Sequence, residues 1–343
     1  MSDSAEVTIV VVPRERFSFT RESLTSVFEH TDVPFRLVYV DAGSPAHIRR
    51  YLEKQSREKD FTLLRSDHYL SPNEARNLGF AHVQTKYVVF LDNDVLVAPK
   101  WLSPLVQCAE ETGAWVVGPL YCIGQPYHQK IHMAAGLAHF EERNGERRYV
   151  DKHLMGHSWL RDVRDQLVRQ PSERCEFHCA LLQTDAFRTI GPLDEGLLGI
   201  VETHADLCLL VRRAGGSVWF EPNSIVTYVP PPPYRWSDLP YFLLRWSNEW
   251  TAGGRARFTE KWDLPEDCPD LTRHDWWVLS QRLRWAYPLW PILRVVGMQR
   301  RNRVAGRLMK LVDALVTRRI IRQQTRQTLV GSPIRPPDLV GQK

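Results

Sequence analysis

The chain reads as an α/β protein: a Rossmann-like, mostly parallel wound sheet followed by a helical C-terminal extension. Three observations predict this. Apolar, largely β-branched runs at Val7–Val12, at 37–40 and at 87–91 have the unbroken character of strands buried on both faces. Stretches of helical period separate them, and crossovers of that length join parallel strands with a right-handed sense. Finally, four consecutive prolines at 230–233 stop any regular element, and beyond them lie eight of the twelve tryptophans, leading into an Arg-rich tract.

Taken in order, Val7–Val12 is the first strand, and Thr20–His30 follows as a helix with Leu24, Val27 and Phe28 on one face. Residues 37–40 form the second strand, stopped by Asp41-Ala42-Gly43-Ser44-Pro45, and 48–55 the second helix. A short third strand spans 61–64. Ser71-Pro72-Asn73 combines a cap with an early proline, so a helix starts there and turns Ala75, Leu78 and Phe80 inward. The next strand ends on Asp92. Residues 131–140 read as a strand entering an Asn144-Gly145 hairpin, which leaves His128 and His132 at the surface.

Length suggests about two domains. The expected division is a sheet domain over 1–229, a Trp-rich basic helical extension over 230–330 and a loose tail over 331–343. With 43% hydrophobic and 25% charged residues the chain belongs to the soluble globular class. Six scattered cysteines do not make a disulfide framework and no signal-peptide pattern opens the sequence, so a reducing cytoplasm is expected. Apolar runs of about 18 residues are lacking, so no bilayer span is expected.

The net charge of +5 conceals an asymmetry. Between Arg294 and Arg326, nine arginines and Lys310 face the single Asp313. Leu308, Leu311, Val312, Leu315 and Val316 recur at helical spacing opposite Arg307, Lys310 and Arg318. Two readings fit: an interfacial helix on an anionic membrane, peripheral on the inner face of the cell membrane, or a bundle with a solvated Arg face. Nucleic acid is not an expected partner, because no recognition motif accompanies the charge.

The chemistry lies in Asp92-Asn93-Asp94. In wound sheets ligands bind beyond the carboxyl ends of the strands, and both Asp41 and this pair fall there. Mg2+ or Mn2+ takes hard oxygen ligands, and a nucleoside diphosphate leaving group needs a cation against its developing charge. Alone, Asp-x-Asp is also an ordinary turn. The joint placement of Asp41, Asp92 and Asp94 points to one crevice.

These residues resemble the family-two inverting glycosyltransferases of the GT-A fold, which use nucleotide sugars. The resemblance runs from Val7 to Tyr228. It is carried by Asp41-Ala42-Gly43-Ser44, Asn73-Glu74-Ala75-Arg76-Asn77-Leu78-Gly79, Leu91-Asp92-Asn93-Asp94, Gly191-Pro192-Leu193-Asp194-Glu195, and the stretch from Asp206-Leu207-Cys208-Leu209 to Arg212-Arg213-Ala214-Gly215. It implies that Asp41 binds the nucleotide base and that Pro13 and Arg14 line the base pocket. Arg76, with Asn77 beside it, lies near the diphosphate or the acidic pair. Asp94 ligates the metal, Asp92 contacts ribose or metal, and Asn93 lies between them at the nucleotide sugar. The implied cofactor is Mn2+ or Mg2+, the donor a nucleotide sugar, and the acceptor a saccharide or lipid-linked hydroxyl in surface polysaccharide or glycolipid synthesis. Arg14-Glu15-Arg16 departs from the family's usual pattern, which leaves the nucleotide open, and Tyr228 stands near a position where a metal-contacting His is frequent.

Inverting transfer needs a base for the acceptor hydroxyl. The family's usual Glu-Asp pair is replaced here by Val201-Glu202-Thr203-His204-Ala205-Asp206. Glu202, His204 and Asp206 are the candidates, in that order; Glu202 leads if the helix begins near Thr203. The competing readings are Asp206 as a helix cap and His204 as a satisfied polar residue or as the group that completes the metal shell. Cys175-Glu176-Phe177-His178-Cys179 lacks a second ligand pair at zinc-finger spacing. In the family that stretch leads to the acceptor, which makes His178 an acceptor contact.

Two other functions remain. A nucleotidyltransferase also uses acidic metal ligands on a wound sheet, but Val12-Pro13-Arg14-Glu15 lacks the glycines of a triphosphate loop. A catalytically inactive, membrane-docked scaffold is suggested by the altered region from Glu202 to Asp206.

Overall fold

The structure is a computed structural model, and it describes residues 5–231, 234–265, 268–282, 284, 311, 314–315 and 317–320. In chain order the elements are β1 (Val7–Val12), α1 (Thr20–His30), β2 (Phe35–Ala42), α2 (Ala46–Lys59), β3 (Thr62–Ser66), α3 (Pro72–Phe80), β4 (Tyr87–Asp92), β5 (Val95–Val97), α4 (Leu102–Thr112), β6 (Val116–Ile123), β7 (Ile131–Met133), β8 (Gly136–Arg143), β9 (Glu146–His153), α5 (Leu160–Val163), β10 (Gln170–Ser172), β11 (Cys179–Gln183), α6 (Thr184–Ile190), α7 (Ile200–Arg213), β12 (Val218–Tyr228), α8 (Leu239–Arg245), α9 (Asn248–Trp262) and α10 (Pro269–Arg282).

The main sheet runs β10-β12-β6-β11-β4-β1-β2-β3, with β5 on β12 and β7 on β6. The half formed by β4, β1, β2 and β3 is wholly parallel. β11 reverses the direction, pairing antiparallel with both β4 and β6. β1 and β4 are buried at every position, as unbroken Val, Ile and Leu runs require when helices cover both faces. Gly79 allows α3 its close approach to β1: a Cβ there would lie 2.3 Å from Val10 Cγ1. Ser71 caps α3 by accepting from the Glu74 N–H, while Glu74 accepts from the Ser71 N–H, a reciprocal box typically worth about 1 kcal/mol.

The sequence reading of 131–140 as one strand needs correction. Ala135 takes a positive φ of 60°, which breaks the stretch into β7 and β8. The hairpin itself forms as expected: Asn144 and Gly145, at φ 56° and 77°, make the two-residue turn joining β8 to β9.

The helices that follow Tyr228 pack onto the sheet domain. A second core lies between the β8–β9 hairpin, α7 and α9, with Tyr149, Leu209, Phe258 and Trp262 buried together. α8 lies against the loop after β1: Tyr241 Oη donates to the Pro13 carbonyl, Trp246 Nε1 donates to Glu15, and Asp238 accepts from the Phe17 and Ser18 N–H groups. Phe242, Trp246 and Val278 of α8 to α10 form a further cluster against which Ile320 packs. No helix among the described residues is long and apolar enough to cross a membrane. Most of the basic tract from Arg294 to Arg326, including Leu308, Val312 and Val316, lies outside the described residues, as does the tail over 331–343.

Candidate active site

β4 and β1 end side by side, Val12 opposite Asp92, and the chain bends through Asn93 and Asp94 into β5. Asn93 holds this bend. Its Oδ1 accepts from the Arg14 N–H, and its Nδ2 donates to the Arg16 carbonyl and Thr20 Oγ1. Asp92 therefore faces a fixed set of donors: Arg76 Nη2 lies 3.3 Å from its Oδ1, His178 Nδ1 3.0 Å from its Oδ2, and Arg14 Nε 3.6 Å away. Burial alone would raise the Asp92 carboxyl, but the His178 hydrogen bond and the Arg76 and Arg14 charges outweigh it and hold the group below its ordinary range.

Asp94 is different. It is fully buried and, among the described residues, neither carboxylate oxygen has a hydrogen-bond partner. Burial, opposed by Arg14 and reinforced by Glu15, pushes its pKa up to about 7. An orphaned carboxylate is costly unless something neutralises it, so this donor fits a hard divalent cation such as Mn2+ or Mg2+. Arg14 spans the pair, its guanidinium lying 3.9 Å over the Tyr228 ring. Arg76 similarly sits 3.8 Å over Phe177, and burial brings its pKa down to about 10.

Asp41 stands at the end of β2, two strands from Asp92. Its oxygens accept from the Ser44 N–H and Oγ, each at 2.9 Å, and from Arg65.

On the far side of Asp92 a cavity of about 610 Å³ opens, lined by His132, His153, Glu176, His178, His204 and Tyr228, with Trp277 of α10 among its other walls. His178 stacks flat on Tyr228, with centroids 4.5 Å apart and planes at 8°. His204 Nδ1 accepts from the Phe177 N–H, so the neutral ring carries its proton on Nε2, which is buried without a hydrogen-bond partner among the described residues. Burial holds His204 well below the usual histidine range and keeps it neutral.

The other two base candidates lie elsewhere. α7 begins at Ile200, not near Thr203, so Glu202 falls in its first turn. Its carboxylate folds back over the helix start, where a Cβ on Gly199 would meet Oε2 at 1.9 Å. A carboxylate in that place favours the helix dipole. Asp206 accepts from Lys261 Nζ at 2.8 Å and Trp262 Nε1 at 2.9 Å, tying α7 to α9.

A family model described as Glycosyl transferase family 2 matches residues 8–188, more than half of the chain. The chain belongs to glycosyl transferase family 2. A pre-mycofactocin glycosyltransferase of Mycobacterium tuberculosis is 25% identical over 229 residues, covering 65% of this chain and 42% of that protein. An uncharacterized protein, y4gI, of Sinorhizobium fredii is 25% identical over 226 residues, covering 64% of this chain and 24% of that protein. The chain thus spans less than half the length of these relatives. Among solved structures, GalNAc-T7 with UDP, GalNAc and Mn2+ superposes with a TM-score of 0.52 at 16% identity, over 84% of this chain and 57% of that one. The mannosyltransferase PcManGT of Pyrobaculum calidifontis, with GDP-Man and Mn2+, gives 0.50 at 14% identity, over 96% and 88%. The fold is that of GT-A glycosyltransferases, with added C-terminal helices.

Within this family-two chain, the structure brings Arg14, Arg76, Asp92, Asp94 and His178 together around the strand ends. It does not bring Glu202 or Asp206 to the cavity wall. Asn77 is a clamp: Nδ2 donates to the Leu193 carbonyl and Glu195, and Oδ1 accepts from the Leu193 N–H. Pro13 presents its carbonyl to Tyr241. His132, read as a surface residue, is instead a cavity residue: strand alternation turns it away from buried Ile131 and Met133, and that outward face of β7 lines the cavity. His128 is half-buried and bonded to Thr227. Sequence reasoning does not find His153 or Arg174, and it meets Glu176 only within the 175–179 stretch. The available signal was Glu176-x-His178, two ligand-type residues close in sequence; the turn closed by the Cys179 N–H on the Glu176 carbonyl sets both at the cavity.

Proposed function

We propose that the protein transfers a sugar from a nucleotide-diphosphate sugar to an acceptor hydroxyl with inversion. The observation that carries this is Asp94, a buried carboxylate just beyond the carboxyl end of β4 whose two oxygens have no hydrogen-bond partner among the described residues, with Arg14 beside it and Arg76 on the neighbouring Asp92. Solved structures of the same fold hold UDP or GDP-Man with Mn2+, which supports a nucleotide donor and a divalent ion for this chain.

In this reading Asp41 meets the base, while Arg76 and Arg14 orient the diphosphate beside Asp92. Asp94, with Asp92 beside it, would hold Mn2+ or Mg2+, which when bound neutralises the departing diphosphate. The acceptor, a saccharide or lipid-linked hydroxyl, occupies the cavity faced by Glu176, His178 and His204. Its oxygen attacks the anomeric carbon opposite the diphosphate and gives its proton to a cavity group. His204 donates a hydrogen bond there rather than accepting a proton, because its Nδ1 is occupied. Glu202 and Asp206 hold α7 in place. We place the protein at the inner face of the cell membrane through its basic tract, acting in surface polysaccharide or glycolipid synthesis.

Incubation with a panel of nucleotide sugars and Mn2+, followed by assay of released nucleoside diphosphate, tests the reading. Release by the wild type and its loss in Asp94→Asn is the expected result. Failure of every nucleotide sugar to bind or be turned over would leave the inactive-scaffold reading.

A further inference from the structure

Glu176 sits at the centre of a group of imidazoles. His132 Nε2 is 3.0 Å and His178 Nε2 3.6 Å from its Oε2, and His153 Nε2 is 3.2 Å from its Oε1. His132, Glu176 and His178 each offer a ligand atom, all within 4.8 Å of one another. The other ring nitrogen of His178, Nδ1, lies 3.0 Å from Asp92 Oδ2 and donates to it. In the neutral ring this leaves the Nε2 lone pair aimed at a carboxylate oxygen, and two acceptors face each other across 3.6 Å. Such a pair calls for a cation between them.

We propose that His132, Glu176 and His178 form a divalent transition-metal site of zinc type, separate from Asp94. Metal bonds of about 2.0–2.2 Å place tetrahedral neighbours roughly 3.3–3.6 Å apart, near the 3.0 and 3.6 Å that separate the two imidazoles from Glu176 Oε2, and all three ligand atoms lie within 4.8 Å of one another. Two imidazoles and one carboxylate select Zn2+ or a similar borderline ion over Mg2+, and three protein ligands leave a coordination position open to the cavity. Asp92 is the outer carboxylate that fixes the His178 tautomer, an arrangement common behind metal-binding histidines. Arg174, 3.6 Å from Glu176 Oε1, brings a positive charge, but Asp151 pairs with it at 3.0 Å. The cysteines of the same segment take no part: Cys175 Sγ lies against Tyr121 Oη, and Cys179 is buried. This site stands whether or not the donor-site reading holds.

The test uses the full chain, stripped with a chelator and titrated with Co2+ alone. One Co2+ should bind with the visible absorption of a low-coordinate nitrogen and oxygen site, and Zn2+ should displace it. His132→Ala and Glu176→Gln should each weaken binding at least 100-fold, while Asp94→Asn should leave it unchanged. His132 is partly exposed, so its variant keeps the test usable if Glu176→Gln fails to fold; a thermal melt monitors both. Absence of Co2+ binding, or binding indifferent to His132→Ala, overturns the proposal. Binding lost in Asp94→Asn instead would assign the ion to the donor side.

Discussion

Arg14 Nη1 lies 3.6 Å from Asp94 Oδ2, near enough to pair in charge but without a hydrogen bond. This leaves Asp94 a carboxylate whose ionisation is costly in the folded protein. Its pKa of about 7 exceeds the ordinary 3.8, so the native state binds this proton more tightly than the unfolded chain. The stabilisation is fully present below about pH 4 and is lost as pH rises through about 7. Asp94→Asn removes the titration. Melting in chelator should show the variant gaining on the wild type between pH 5 and 8, by up to a few kcal/mol, with no further change above pH 8. A constant difference across that range would mean that Asp94 is not a raised carboxyl.

Asp206 is a strut between helices. Asp206→Asn weakens its charge-assisted bond to Lys261 and should cost about 1–3 kcal/mol in urea unfolding, with nucleotide affinity and turnover of the folded fraction unchanged. A large loss of turnover at full stability would return Asp206 to the candidate bases.

For His204, nitrogen NMR of the ring should show the neutral Nε2–H tautomer persisting from pH 8 to below 6, because burial holds the ring well under the usual histidine range. A transition near 6.5 would contradict the buried hydrogen bond from Phe177.

α8 covers the loop that would meet the nucleotide, and the Trp246 bond to Glu15 is one of its ties. Trp246→Phe gives up about 1 kcal/mol of that attachment. If α8 must yield to the donor, nucleotide affinity should rise up to about fivefold as stability falls, since loosening the closed form raises the competent population. Unchanged or weaker affinity would make α8 a fixed wall.

Much of the sheet was legible because buried parallel strands are written as unbroken apolar runs: β1 and α1 fall where the sequence places them, and the Ser71 cap starts α3. Long-range partnerships were not. Nothing local tells that Asp206 meets Lys261, that Asn93 spends its amide on the loop after β1, or that Glu202 curls onto its own helix start. Alternation puts His132 opposite Ile131 and Met133, where the structure has it, but that face is covered by His153, Glu176 and His178 from distant parts of the chain, which makes it a cavity wall rather than a surface. The Glu176 cluster draws His132 and His153 from β7 and β9 to a segment more than twenty residues further on, so only folding reveals it.

The most direct test of the central claim is calorimetric titration of the full chain with UDP and GDP in Mn2+, against the same titration in chelator and with Asp94→Asn. One nucleotide should bind with Mn2+, and its affinity should fall at least tenfold both in chelator and in the variant. Equal affinity in all three conditions, or no binding to the wild type, would contradict it.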